Sequence, residues 1–413
     1  MEKYTVIIPT RDRAETLGAT IQTCLRQTYE NFEIIISDNC SDDNTKEIVS
    51  QFKDARIKYI NPGQRLSMSG NFEFALGHVT EGFVMFIGSD DGIMPDAISY
   101  VDSIVKKYNV DAVSCFQAYY NWPNFPDKKV SGNLMFRNLG MGVDIRKSRE
   151  WINRALSFDD KRFCHDLPNL YAGFVHKRVI DKAYKDGVYF RSITPDAYSA
   201  FVTSIFIDKF AFSMRPFSIA GQSGKSNGVS TFIESSNKNE VSKFYSENDI
   251  DFFDGFVNCP SFQIILGETF AQVRKAFPAQ CINYEINFKS MLNNSLRDVN
   301  KKTEMEVKAA VEIMAENFSV NLRDDSATVK FKKFNWLEKF KSLSNLIFHP
   351  TDIIAIKKSY LIGINDVNDA ALAMHLFMNL NKTNLVISRR KKFLNKMERL
   401  LRLFVPSFIK PIN

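Results

Sequence analysis

Two adjacent carboxylates follow an apolar run in the stretch FVMFIGSDDGIMPDA, which spans Phe83–Ala97. The run FVMFI is short and rich in aliphatic and aromatic residues, as in a buried strand, so Asp90 and Asp91 would lie just beyond the strand's carboxyl end. A pair of carboxylates repels a phosphate group unless a divalent cation lies between them. Oxygen ligands without a His or Cys cluster favour Mn²⁺ or Mg²⁺ over zinc. We expect Gly88 and Gly92 to let the backbone turn so that both acids face one ligand.

The elements around this pair alternate between strand-like and helix-like patterns. YTVII, FEIII and RIKYI are further short apolar runs, which predict strands at Tyr4–Ile8, Phe32–Ile36 and Arg56–Ile60. Between the first two, Leu17, Ile21, Cys24 and Leu25 recur at helical spacing. The segment SDDNTKEIVSQF begins with capping residues and predicts a second helix. Strands and helices joined by short connections indicate a βαβ sheet with helices on its faces.

Polar residues stand at the predicted carboxyl ends of two other strands. Pro9, Thr10 and Arg11 follow the first strand, and Asp38 and Asn39 follow the second. Ligands of open α/β sheets bind beyond the carboxyl ends of the strands. We therefore expect these residues and the acidic pair to share one binding edge.

The rest of the chain is less informative about chemistry. DAVSCF and FSMRPFSIA predict further strands, and TPDAYSAFVTSIFIDKF predicts a helix. The polar patch Gly221–Glu240 indicates a mobile loop or linker. As a loop, we expect it to close over the site, with Lys225 on a diphosphate. We divide the chain into an α/β catalytic domain at 1–230, a mainly α-helical domain at 231–388 and a basic amphipathic tail at 389–413.

Charge and composition exclude several classes. The tail carries eight Lys or Arg and one Glu, so its net charge of +7 equals that of the whole chain and residues 1–388 sum to zero. A basic nucleic-acid-binding surface is therefore not indicated. Six cysteines without a CxxC pair predict buried thiols in a reducing compartment. The N-terminus lacks the apolar run of a secretory signal, and no uninterrupted apolar stretch is long enough to span a bilayer. We expect a cytoplasmic protein.

Three segments taken together carry a family resemblance. VIIPTRDRAETLGATIQTCLRQTYENFEIIISDNCSDDNTKEIV, then RLSMSGNFEFAL, then FIGSDDGIMPDAI resemble the family-2 glycosyltransferases of the GT-A fold over residues 3–230. Such enzymes transfer a sugar from a nucleotide-sugar, with inversion at the anomeric carbon. The order of the three motifs makes the resemblance specific.

The resemblance implies roles for individual residues. It assigns Asp91, the last residue of a DXD-like motif, to the metal. It assigns to the nucleotide-sugar the residues Pro9, Thr10, Arg11, Asp38, Asn39, Arg65 and Asp90. The family often has an aromatic residue where Arg11 stands and two acids where Asp38 and Asn39 stand, which leaves the nucleotide open; we expect UDP.

A later carboxylate of the family, at the start of a helix, acts as general base on the acceptor hydroxyl. The matching segment is YFRSITPDAYSAF, which nominates Asp196. Asp166, next to His165 in CHDLPN, is the alternative base.

The tail RRKKFLNKMERLLRLFVPSFIKPIN places apolar residues on one helical face and cations on the other. This pattern is typical of a helix lying in an anionic membrane interface. The alternative is a terminal helix docked on its own domain or on a second subunit of a homo-oligomer. A membrane helix agrees with a family whose acceptors are often lipid-linked glycans.

We therefore predict an inverting, metal-dependent glycosyltransferase acting on a surface-polysaccharide precursor at the inner face of the cell membrane. Two alternatives stay open. A nucleotidyltransferase that makes sugar nucleotides would carry a Gly-rich basic loop after the first strand, where this chain has PTRDR. A non-catalytic glycan or membrane adaptor would tolerate Asp91→Asn.

Overall fold

The protein was analysed as a computed structural model that describes residues 1–137, 142–159, 166–226, 247–299, 303–322 and 353–381. The strands in these ranges are β1 (Tyr4–Thr10), β2 (Phe32–Asp38), β3 (Ile57–Ile60), β4 (Phe83–Phe86), β5 (Gly92–Ile93), β6 (Ala112–Cys115), β7 (Ala118–Asn121), β8 (Leu134–Arg137), β9 (Val143–Lys147), β10 (Phe174–His176), β11 (Lys209–Ser213), β12 (Ser218–Gln222) and β13 (Ile353–Ile356).

The helices in the same ranges are α1 (Ala14–Leu25), α2 (Thr45–Ser50), α3 (Met68–Leu76), α4 (Ala97–Tyr108), α5 (Ser148–Ser157), α6 (Lys177–Ala183), α7 (Pro195–Phe206), α8 (Phe262–Ala276), α9 (Phe288–Arg297), α10 (Glu304–Asn317) and α11 (Val367–Asn381). None of them combines the length and hydropathy that crossing a bilayer requires.

Most strands of the described residues belong to one mixed sheet with the order β3-β2-β1-β4-β10-β6-β11-β9. Its first four strands run parallel, as the sequence predicts, and β1 is in register with β2 from Tyr4 opposite Phe32 to Thr10 opposite Asp38. The α/β class and the βαβ sheet of the first hundred residues are confirmed. A second sheet has the order β13-β8-β7-β12-β5.

The parallel strands β1, β2 and β4 are buried on both faces, which explains their continuous apolar runs. Along β1, Ile7 packs into one cluster with α3 and α7, whereas Val6 and Ile8 pack into another with α1 and α4. Side chains of a strand alternate between the two faces of its sheet, so each run contributes to both cores. This packing fixes where each strand ends and therefore where the polar residues that follow it lie.

The first two helices begin at one shared capping side chain. Asp43 Oδ2 accepts from Ala14 N at 2.9 Å, and Asp43 Oδ1 accepts from Thr45 N at 3.0 Å. One carboxylate thus satisfies free N–H groups at the starts of α1 and α2, where helices need acceptors. The loop after β2 is thereby held against the loop after β1.

The single strand predicted from FSMRPFSIA is wrong. The structure ends β11 at Ser213 and begins β12 at Ser218, and the two strands belong to different sheets. Pro216 explains the break, because proline has no N–H to donate within a sheet.

The described part of residues 231–388 is mainly helical up to Leu322, and α8 packs on α7 while α9 packs on α8. Residues 353–381 instead return to the sheets, since β13 pairs with β8 and α11 contacts α1 and β5. The division at residue 230 stays a prediction, because 227–246 and the tail 389–413 lie outside the described residues.

Candidate active site

The carboxyl ends of β1, β2 and β4 meet at one edge of the sheet, as their parallel pairing requires. Thr10 ends β1, is 3% exposed, and its Oγ1 has no hydrogen-bond partner within the described residues. Pro9, just before it, is half-buried. A buried hydroxyl without a partner is costly unless a ligand or water supplies one, so Thr10 faces a place where a polar group fits.

Asp38 and Asn39 are buried and bound to the protein itself. Asp38 Oδ1 accepts from Ser41 N at 3.0 Å, and Oδ2 accepts from the Tyr59 hydroxyl at 2.5 Å. The amide of Asn39 pairs with both backbone groups of Leu66, at 2.8 and 2.9 Å. These two side chains therefore shape the walls of the predicted nucleotide site by fixing the loops after β2 and before α3.

The three predicted cations of the site lie around the end of β1. Arg11 forms an ion pair with Glu247, which is the first described residue after the segment 227–246. Lys225 Nζ donates to the carbonyl oxygen of Asp12 at 3.2 Å.

Arg65 reaches the same place from the loop before α3. It forms ion pairs with Asp42 and, at 3.5 Å, with Asp12. The structure thus brings all three cations to the edge expected for a nucleotide, each held by a protein group that an anionic ligand can replace.

Asp90 is buried beside the end of β12. Its Oδ2 accepts from Ser223 N at 3.2 Å and from Ser223 Oγ at 2.7 Å, while its carbonyl oxygen accepts from Trp122 Nε1 at 2.9 Å. No hydrogen bond to Oδ1 of Asp90 is found within the described residues.

Asp91 is held on both of its oxygens. Gly221 N donates to Oδ1 at 2.7 Å, and Gly88 N donates to Oδ2 at 2.8 Å, together with the Tyr171 hydroxyl. Burial, and then the charge of Asp90, raises the pKa of Asp91 to about 7. In the part of the chain that the structure describes, no Lys, Arg or His pairs with either acid.

The glycines beside the pair serve close packing and not a turn, because the φ angles of Gly88 and Gly92 are not positive. A Cβ on Gly88 would lie 2.8 Å from the Tyr171 hydroxyl oxygen, and one on Gly92 would lie 2.9 Å from Cγ2 of Val367. Gly92 thus makes room for α11 rather than orienting the acids. Gly221, which the sequence placed in a loop, belongs to β12, and a Cβ there would lie 1.7 Å from the Asp90 carbonyl oxygen.

Asp196 lies in the first turn of α7, after Pro195 at the helix start, and is half-buried. Burial raises the pKa of Tyr171 most, and the charges of Asp91, Asp90 and Asp196 raise it further. One tyrosine therefore feels all three carboxylates, which puts Asp196 in the neighbourhood of the acidic pair.

Asp166, the alternative base, lies in a buried ion pair. Arg146 NH1 donates to its carbonyl oxygen at 2.9 Å and to its Oδ1 at 3.2 Å. The guanidinium of Arg146 is stacked between Trp151 and Phe212, with 3.6 and 3.5 Å from Cζ to the ring centroids. Asp166 therefore serves as the counter-ion of the buried Arg146 guanidinium.

Sequence reasoning missed Tyr171, and it placed Gly221 and Ser223 in a loop over the site without predicting their contacts with the acidic pair. Tyr171 stands in LPNLYAGF, where no spacing sets it apart from a core aromatic residue. Gly221 and Ser223 stand in a Gly/Ser-rich stretch whose composition indicates a loop. Their contacts with Asp90 and Asp91 join residues 80 to 133 positions apart.

Known proteins match the N-terminal part of the chain. The family model described as "Glycosyl transferase family 2" matches residues 5–164. Residues 5–164 are a family-2 glycosyltransferase domain. This match contains the acidic pair and the ends of β1 and β2, and it confirms the resemblance for this part of the chain.

Two curated relatives illustrate the similarity. The glucosyltransferase WfgD of Escherichia coli, named for a GlcNAc-diphosphoundecaprenol substrate, is 28% identical over 149 residues, which are 34% of this chain and 59% of WfgD. The Campylobacter jejuni enzyme named GalNAc(5)-diNAcBac-PP-undecaprenol beta-1,3-glucosyltransferase is 35% identical over 112 residues, 26% of this chain and 35% of that protein. The chain thus spans less than two thirds of either relative.

Among solved structures, residues 1–349 of Staphylococcus aureus TarS in complex with UDP-GlcNAc align with 79% of this chain and 92% of that one. The identity is 14% and the TM-score is 0.41, so the likeness is distant.

The acidic pair fits a divalent cation in charge and ligand type. It offers oxygen ligands without sulfur or nitrogen, as Mn²⁺ and Mg²⁺ prefer, and among the described residues no cationic side chain balances it. No cluster of three or more His, Cys, Asp or Glu arranged for a metal is found in the described ranges. At nucleotide sites, Mg²⁺ usually takes its further ligands from the diphosphate and from water.

Proposed function

We propose that this chain is an inverting, metal-dependent glycosyltransferase that transfers a sugar from a UDP-linked donor to a hydroxyl of a lipid-linked glycan. The observation that carries this proposal is the buried pair Asp90 and Asp91 at the carboxyl end of β4, inside the matched family domain, with no cationic partner in the described ranges. A buried acidic pair of this kind is unfavourable until a cation binds it.

On the donor side, Asp91 and Oδ1 of Asp90 would hold Mn²⁺ or Mg²⁺. When bound, such a cation stabilises the negative charge that develops on a departing nucleoside diphosphate. Arg11, Arg65 and Lys225 surround the same edge and would bind the phosphates once released from their present partners. Thr10 supplies a buried hydroxyl to the same ligand.

On the acceptor side, Asp196 is the proposed general base. Its carboxylate would take the proton of the acceptor hydroxyl while that oxygen forms the new bond to the anomeric carbon. The bond between the anomeric carbon and the diphosphate oxygen breaks in the same displacement, which inverts the configuration. Base assistance of this type typically accelerates a reaction by about 10²- to 10⁴-fold.

The class of acceptor is proposed from the names of the relatives, which specify diphosphoundecaprenol-linked and PP-undecaprenol-linked substrates. A lipid-linked acceptor requires the enzyme to work at a membrane surface. We propose that the basic tail 389–413 contacts anionic lipid at the inner face of the cell membrane. The alternative is that the tail docks on a second copy of the chain.

The test is transfer from a panel of radiolabelled nucleotide-sugars to an undecaprenyl-diphosphate-linked sugar, with Mn²⁺ or with EDTA. We expect release of a nucleoside diphosphate and labelled lipid that needs the metal. Release of pyrophosphate from a sugar phosphate and a nucleoside triphosphate would identify a nucleotidyltransferase instead.

Matched variants test the role of the acidic pair. Asp91→Asn should abolish transfer, whereas the exposed Asp186→Asn should match wild type. Equal transfer by Asp91→Asn and wild type would rule out the proposed role of Asp91 at the metal, whereas absence of transfer in both proteins would favour an adaptor.

A further inference from the structure

The backbone on either side of Tyr171 is anchored to the strand that leads into the acidic pair. Phe86 N donates to the Leu170 carbonyl oxygen at 2.7 Å, and Ala172 N donates to the Phe86 carbonyl oxygen at 2.8 Å. Tyr171 thus forms a parallel bridge with Phe86, the last residue of β4. The tyrosine cannot move along β4 without breaking these two bonds.

From this anchor the Tyr171 hydroxyl donates to Oδ2 of Asp91. With Gly88 N on the same oxygen and Gly221 N on Oδ1, the carboxylate is fixed at both ends. The space is closed as well, because a Cβ on Gly88 would come within 3.1 Å of Oδ2 of Asp91. Of the three donors, the hydroxyl is the one that a side-chain substitution can remove.

The same segment also holds the turn that carries Asp196. Asn169 Oδ1 accepts from Tyr171 N at 2.8 Å and from Ser199 Oγ at 2.7 Å. Ser199 Oγ lies 2.8 Å from the carbonyl oxygen of Asp196 and accepts from Leu170 N at 3.3 Å. Segment 169–171 therefore touches Asp91 at one end and the first turn of α7 at the other.

We propose that Tyr171 is a positioning residue that, through Asn169 and Ser199, holds Asp91 and Asp196 in a fixed relation. This inference rests on the proposed function, in which Asp91 serves the donor and Asp196 serves the acceptor. Displacement of a sugar needs both partners in line, and a misplacement of about 1 Å can cost on the order of 10²-fold in rate.

The first variant is Tyr171→Phe, which removes the hydroxyl and keeps the ring. We expect kcat to fall about 10- to 100-fold, and the Kd for Mn²⁺, titrated calorimetrically with UDP present, to rise about threefold or more. Tyr198→Phe is the matched control, because Tyr198 is also buried near Asp196 but its hydroxyl has no partner within the described residues. That control should stay within twofold of wild type in both measurements.

The second variant, Ser199→Ala, cuts the connection at the other end. Asp91 keeps its tyrosine donor, so we expect a lower kcat with an unchanged Kd for Mn²⁺. Because both residues act through one linkage, the double variant should lose less than the product of the two single losses. Should Tyr171→Phe fail to fold, Ser199→Ala alone tests the proposal. A wild-type kcat in Ser199→Ala would then overturn the proposed connection between Asp91 and Asp196.

The outcomes separate this inference from the proposed function. If wild type transfers sugar and Tyr171→Phe has the same kcat and the same Kd for Mn²⁺, the positioning role is overturned. The proposed function then stays intact. Absence of transfer in wild type overturns the function, whereas the Mn²⁺ titration of Tyr171→Phe still decides whether the hydroxyl positions Asp91.

Discussion

The stability of the protein should depend on the charge of one buried glutamate on α8. Glu268 is 1% exposed; its Oε1 accepts from Phe253 N at 3.0 Å and from Gln272 Nε2 at 2.7 Å. Its Oε2 is buried without a hydrogen-bond partner among the described residues. Burial raises the pKa of Glu268 from its ordinary 4.5 to about 7.

The sign of the effect follows from proton binding in the two states. Between pH 4.5 and about 7 the unfolded chain has released this proton while the native protein still holds it. The contribution of Glu268 to the free energy of unfolding must then fall as the pH rises through this window. Above the window this contribution no longer changes with pH. Because one pKa unit corresponds to about 1.4 kcal/mol, the full change is about 3 kcal/mol.

Glu268→Gln removes the titration and keeps the oxygen that accepts from Phe253 N and Gln272. Urea unfolding at a series of pH values from 5 to 8 measures the difference between variant and wild type. That difference should grow by roughly 2 to 3 kcal/mol in favour of the variant over this range. Glu312→Gln, on the exposed side of α10, is the control and should show no such growth. A difference that stays constant with pH would refute the reasoning.

Three further changes test the site. Asp196→Asn should lower kcat about 10²- to 10⁴-fold with the calorimetric Kd for UDP unchanged, and a loss below tenfold would exclude it as the base. Glu247→Gln frees Arg11 for phosphate, and since a partly exposed ion pair contributes about 0.2 to 1 kcal/mol, UDP should bind about 1.4- to fivefold tighter; unchanged binding would contradict competition for Arg11. Gly221→Ala places a Cβ 1.7 Å from a backbone oxygen and should lower the free energy of unfolding by about 1 to 3 kcal/mol, whereas Gly142→Ala, with open space around it, should not.

The parallel part of the sheet could be predicted because its signals are local. Each apolar run is short, ends at a polar residue and alternates with a helical pattern, so the strands and the edge that gathers Thr10, Asp38 and Asp91 follow from the sequence. What these side chains bind was harder to predict. Asn39 pairs with the backbone of Leu66, a contact set by loop geometry that spacing does not encode.

The remaining contacts depend on residues far apart in the chain. Tyr171 and Gly221 meet Asp91 across 80 and 130 positions, and neither has a sequence pattern of its own. The polar stretch that starts at Gly221 resembles a loop in composition, although its first two residues complete β12. Tertiary pairing, which single-sequence reasoning does not see, decides such cases.

The return of β13 and α11 to the sheets has a consequence for synthesis. Val367 covers Gly92, and Asn368 accepts from the side chain of Arg26, so these later residues finish the packing begun by the first hundred. Chains leave the ribosome from the N-terminus onward. The nascent chain must therefore keep one flank of its first-made strands and helices uncovered until residues 353–381 have been translated.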